Sequence, residues 1–137
     1  METMATRPQG IGAGFFLIAV GLSLAAAIAL QQVLNAPLSR HAQEAHTKEI
    51  WNAEIGLEAL RQKQCKAIEA YESDLVKTIL VLCQIGLDPK GLWGGLFVRR
   101  TKEGGLIVVT GYATSRDRWE RLIQRDGYKP ISLIPIP

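Results

Sequence analysis

Few side chains in this 137-residue sequence could do chemistry: His41 and His46, Cys65 and Cys83, and the arginines Arg99, Arg100, Arg116, Arg118, Arg121 and Arg125. The histidines are five positions apart, which on a helix puts them on different faces, whereas a metal pair needs a spacing of three or four. They read as solvated surface residues. The glycines of "KEGG" are not placed between a strand and a helix, as a phosphate loop requires. Nearly every member of a Ser/His/Asp or Cys/His set falls on one long helical stretch, so no nucleophile meets a base. The arginines could approach phosphates, but Asp117, Glu120 and Asp126 alternate with them. That pattern reads as salt-bridged helix and hairpin surfaces rather than nucleic-acid contact. The expectation is a non-enzymatic protein with no cofactor, metal or small-molecule substrate, and without nucleic acid as a partner.

The chain is 47% hydrophobic with a net charge of +3, enough for one small domain plus accessory elements. From Asp88 onward nine Lys/Arg face five Asp/Glu, whereas residues 38–87 carry six against seven, so the C-terminal part is the basic one. An acidic partner and a solvated basic face both fit that balance. If Cys65 and Cys83 share one continuous helix, a rise of ~1.5 Å per residue separates them by ~27 Å. A disulfide needs Cα atoms within about 7 Å, so no intrachain bond is expected and both pack as small hydrophobes.

The elements that must position these groups begin with a membrane segment. No charge interrupts Pro8 to Ser39, and the 24 residues from Ile11 to Leu34 are nearly all apolar. At ~1.5 Å per residue they span ~36 Å, against the ~30 Å of a bilayer core. This predicts a tail over residues 1–10 and a transmembrane helix over 11–36. Two processing readings are weighed, signal cleavage at Ala27-Ile28-Ala29 and a pilin-type cut between Gly14 and Phe15, the latter lacking the glutamate expected shortly after the cut, where Ala19 stands; the expectation is a retained anchor. Gly21 and Ala25 have the four-residue spacing of small residues that lets membrane helices pack closely.

Pro37 breaks the helix, and no further proline appears before Pro89. Ile50, Ala53, Leu57, Leu60, Gln64, Ala67 and Tyr71 alternate by threes and fours, predicting a coiled-coil-like helix over 38–74. "LVKTILVLCQIGL" is apolar nearly all round and reads as a buried helix over 75–86. Then come two strands, Leu92 to Thr101 and Leu106 to Ala113, joined at "KEGG". Thr114 or Ser115 caps a helix with a Trp119, Leu122, Ile123 face, Gly127 ends it, and "PISLIPI" forms an edge strand. The fold class is thus α+β: a transmembrane helix, a long coiled-coil-like helix and an αββαβ module over 75–137, half of a ferredoxin-like fold.

This order of elements resembles the PilN-like bitopic subunits of type IV pilus and type II secretion assembly platforms, with the PilO and GspM relatives more distant. The resemblance is carried by "GLDPKGLWGGLFVRRTKEGGLIVVTGYATSRDRWERLIQRDGYKPISLIPI", where Pro89, Trp93, Gly111, Ala113, Ser115, Trp119, Leu122 and Ile134 follow the family's order. The N-terminus "METMATRPQG" lacks the "N-L-L-P" segment through which such proteins dock a cytosolic partner. The resemblance implies a single-pass inner-membrane scaffold with its N-terminus cytoplasmic and its module periplasmic. Its partners would be membrane lipid and other membrane subunits, in homo- or hetero-oligomers. Candidate interface residues are Gly21, Ala25, Leu57, Leu60, Tyr71, Ile131, Leu133 and Ile136. Other readings are an accessory subunit of a large membrane complex, a ring-forming or BON-like periplasmic domain, and a pilin-like filament subunit.

Overall fold

The computed structural model describes residues 27–136. Gly21 and Ala25, the N-terminal tail and the first sixteen residues of the expected span lie outside the described residues. In chain order the elements are β1 (Ala27–Ala29), α1 (Leu30–Leu34), α2 (Arg40–Glu44), α3 (Ala53–Arg61), β2 (Ile68–Ser73), β3 (Thr78–Gln84), β4 (Leu92–Arg100), β5 (Leu106–Ser115), α4 (Arg116–Arg125) and β6 (Lys129–Ile134). They build an α+β domain around one six-stranded mixed sheet of order β1-β6-β2-β3-β4-β5. β2 to β5 form an antiparallel meander, α4 crosses back so that β6 joins β2 antiparallel, and β1 joins β6 parallel.

Both faces of the sheet are covered. On one, α1 to α3 bring Val33, Ala42, Trp51, Leu57 and Leu60 against Val81, Leu96, Val98 and Val108. On the other, α4 lays Trp119, Leu122 and Ile123 over Leu80, Leu82 and Trp93. β3 lies between the two layers with all seven residues buried. Hence the run expected as a helix over 75–86 is a strand: covered on both faces, it needs apolar residues at every position, and periodicity cannot tell it from a buried helix.

The rod expected over 38–74 does not form. Ala53, Leu57 and Leu60 do line one face of a helix, α3, but it buries them in this domain's own core. Asn52 caps the start of α3 by accepting from the Ile55 N–H at 3.0 Å. Just past its end Lys63 takes a left-handed φ of 55°, the conformation in which glycine usually stops helices. The chain then reverses into β2, where Ile68 and Ala70 face one layer while Tyr71 faces the other. Among the described residues no helix is long and apolar enough to cross a membrane. The last ten residues of the expected span, 27–36, belong to the domain instead: Ile28, Val33, Leu34 and Ala36 are core residues.

Breaking the assumed helix also overturns the expectation for the cysteines. β2 and β3 pair antiparallel with Ile68 opposite Cys83, which brings the Cα of Cys65 to 5.2 Å from that of Cys83, and the two form a disulfide.

Where α4 packs, β4 carries consecutive glycines that point to opposite faces. Gly94 receives the ring of Trp51 from the α3 side, and Gly95 receives the ring of Trp119 from the α4 side. A Cβ at position 95 would fall inside contact distance of Trp119 Cη2. That ring is held in place: Trp119 is fully buried, and its indole N–H donates to the Trp93 carbonyl at 2.8 Å. The G95A variant is therefore expected to lose about 1–3 kcal/mol through overpacking, read as a lower urea midpoint. Ser73 ties the β2–β3 turn to the end of α4 by donating to the Asp126 carbonyl at 2.6 Å and accepting from the Leu75 and Val76 N–H groups.

A candidate anion-binding groove

α4 packs over β4 and β5, its Trp119 clustering with Leu80 and Leu82 of β3, and a groove remains between α4 and the rest of the β4–β5 face. A register shift at Phe97/Val98 leaves Val109 as an extra residue in β5, and beyond it Thr110 stands opposite Phe97 and Tyr112 opposite Gly95. Such a bulge increases the local twist and re-aims the residues that follow it. Phe97, Arg99, Thr110, Tyr112 and Thr114 thereby line one wall of the groove, Arg118, Arg121, Leu122 and Arg125 of α4 line the other, and Asp126, paired with Arg125, is the acidic residue of the lining. Two adjoining hollows of about 350 Å³ each make up the groove and share Tyr112, Leu122 and Arg125.

Helical spacing separates the charges of α4. Arg116 and Glu120, four apart, pair at 3.0 Å away from the groove, and Arg116 also meets Glu69 at 2.9 Å. The contact with Glu69 is a close ion pair rather than an aligned hydrogen bond, because Arg116 Nη1 has no acceptor in suitable geometry. Burial opposes the charge of Arg116, but these carboxylates outweigh it and hold its pKa above the ordinary value. Its guanidinium also lies 4.5 Å from the centroid of the Trp93 ring. Arg118, Arg121 and Arg125 occupy positions i, i+3 and i+7, the neighbouring face. Of these, Arg125 is held by Asp126 through two contacts of 2.9 and 3.0 Å. Arg100 is held by Glu72 in the same two-pronged way, at 3.1 and 3.0 Å. Arg99, Arg118 and Arg121 have no acidic partner among the described residues.

Aromatic rings floor the groove. Tyr112 lies 5.0 Å from Trp119 and 5.8 Å from Phe97, centroid to centroid, and His46 lies 5.3 Å from Tyr112. His46 reaches it from a loop that pairs along the outer edge of β5, through bridges at Leu38–Val108 and Asn52–Tyr112. Its backbone is left-handed, φ 60°, and its Nδ1 contacts the Glu49 carboxylate. Thr110 contributes a buried hydroxyl without a hydrogen-bond partner.

Burial raises the pKa of the Tyr112 phenol, so the ring is a neutral donor at physiological pH. Tyr71 is raised by burial and by its hydrogen bond to Glu69, and burial pushes Tyr128 up to about 12. An unfolded tyrosine ionises near pH 10, so folding favours the neutral phenol. That contribution is whole below pH 10 and is lost as pH rises toward 12. An ultraviolet titration should show the tyrosines ionising late, with the urea midpoint falling across that interval.

No family model, curated protein or solved structure matches this chain. Recognition in the groove therefore rests on its own geometry: guanidinium forks suited to phosphate or carboxylate oxygens, two or three hydroxyls, and partly exposed rings. Among the described residues no group of three or more His, Cys, Asp or Glu side chains could hold a metal ion.

The residues singled out from sequence lie elsewhere. Leu57 and Leu60 are 3% exposed in the α3 layer. Tyr71 is half-buried on β2 and donates to Glu69 at 2.6 Å. Ile131 and Leu133 are half-buried on β6, which is an inner strand between β1 and β2 and not the expected edge. Ile136, beyond β6, is 44% exposed. A usable signal for the groove is present in the i, i+3, i+7 spacing of Arg118, Arg121 and Arg125 on α4, although Asp117 stands four residues before Arg121 and only the fold shows that the two do not pair.

Proposed function

We propose that this chain provides an extracytoplasmic binding domain whose groove takes a phosphate-bearing polyanion. The observation that carries this reading is the set of three groove arginines, Arg99, Arg118 and Arg121, without acidic partners among the described residues, beside aromatic walls. Unneutralised cations gathered on a concave surface focus the field on an anion and release counterions when it binds. Placement outside the cytoplasm is supported by the Cys65–Cys83 disulfide, a bond rare in reducing compartments.

The apolar residues 11–26 precede the domain and suit its delivery across a membrane, either as an anchor or as a leader. Cleavage after Ala29 would remove β1 and its buried Ile28, so a leader would be cut upstream of Ala27. Of the three parts expected of a scaffold, membrane helix, rod and module, the rod over 38–74 is folded into the sheet and its helical layer.

Two measurements test the reading. Alkylation of protein taken from cells without reduction should find no free thiol; two free thiols would remove the argument for an extracytoplasmic site. Titration with inorganic polyphosphate, followed by tryptophan fluorescence, should saturate and weaken as salt rises. No saturable signal at low salt would overturn the groove.

A further inference from the structure

We infer that the polyanion is a single-stranded nucleic acid, engaged by its phosphates on the α4 arginines and by its bases on the ring wall. This rests on the anion-binding reading of the same groove and names its ligand. Cations alone would suit any polyphosphate. What narrows the class is that rings and guanidiniums run side by side along one channel.

On α4 the row of arginines without an acidic partner among the described residues is Arg118 and Arg121, ~4.5 Å apart along the axis at ~1.5 Å per residue, with Arg99 in the adjoining hollow. Facing that row, Tyr112 and Phe97 present partly exposed rings, backed by the fully buried Trp119, which holds them in place. His46 continues the ring wall over the β5 edge, held by its Glu49 contact in a backbone conformation that costs energy for a non-glycine residue. Thr110, whose buried hydroxyl has no hydrogen-bond partner, lines the same hollow as Phe97, Arg99 and Tyr112. A positive track with stacking platforms is how proteins hold single strands, since every base has a face to stack. In a duplex those faces are already stacked.

The test uses the oxidised full-length protein and three probes: a fluorescein-labelled ten-residue oligothymidylate, an abasic ten-mer of the same charge, and inorganic polyphosphate as competitor. Anisotropy should give the oligothymidylate at least about tenfold tighter binding than the abasic strand, the scale of one good base stack. The Y112A variant should reduce it to the abasic level, while Y112F, which keeps the ring, should retain it. Equal affinity for the base-bearing and abasic strands overturns this inference and leaves the polyanion reading standing. Absence of binding by all three overturns both. The comparison of strands on the unsubstituted protein needs no variant, so a poorly folding Y112A does not rescue the idea.

Discussion

Removing the Cys65–Cys83 disulfide, by reduction or in a C65S/C83S double variant, should cost about 3 kcal/mol of stability, the largest single loss expected outside the core. The bond spans 18 positions and encloses β2, its turn and β3 as far as Cys83. In the unfolded chain, opening that loop restores freedom worth roughly this amount by the chain-entropy relation. In the folded chain the hairpin joins the half of the sheet holding β1 and β6 to the half holding β4 and β5. Loss of the bond should therefore lower the melting temperature of the whole domain by roughly 10 °C or more, as one cooperative transition. Differential scanning calorimetry with and without reductant checks it. An unchanged transition would mean the bond closes a loop that was already ordered.

Reversing two charges on α4, in an R118E/R121E double variant, should weaken polyanion binding by about a hundredfold or more. Two favourable contacts become repulsive in a concave site, and like-charge juxtaposition there costs several kcal/mol. Stability should hardly move, because both side chains are exposed and neither has an ion-pair partner among the described residues. The unsubstituted protein should lose affinity with salt at a slope of roughly −2 in log–log form, for about three phosphate contacts with a single strand. In the variant the residual slope should approach zero. The R116E variant is the contrasting case: Arg116 is tied to Glu69 and Glu120 away from the groove, so its reversal should harm the fold rather than the binding.

The C-terminal half was well marked in the sequence, and for local reasons. Gly104, at φ 87°, supplies the turn between β4 and β5; Ser115 accepts from the Arg118 N–H to cap α4; Gly127, at φ 70°, ends that helix. Each signal acts within a few residues and needs no partner far along the chain. The N-terminal half depended on tertiary context. In residues 27–36 Ile28 belongs to a strand of the sheet and Val33, Leu34 and Ala36 pack in the core, and because the polar Gln31, Gln32 and Asn35 carry no charge the stretch still reads as the end of an apolar span. The turns at Lys63 and Lys77 use left-handed lysines, which carry no glycine or proline mark. Once β2 and β3 were read as helix, the disulfide was lost with them, since it depends on the hairpin that brings residues 65 and 83 together. The alternation of arginines with Asp117, Glu120 and Asp126 along the sequence shows no free cation, whereas in the fold Arg116 takes Glu120 and Arg125 takes Asp126, leaving Arg118 and Arg121 without an acidic partner among the described residues.

The most direct test of the groove is a ¹H–¹⁵N spectrum of the oxidised protein, including the arginine Nε–H signals, recorded as inorganic polyphosphate is added. The account predicts that the side-chain signals of Arg99, Arg118 and Arg121 and the backbone signals of Thr110 and Tyr112 shift together and saturate. Shifts confined to other basic positions, such as Lys48 or Lys63, or no saturable shift at low salt, would contradict it.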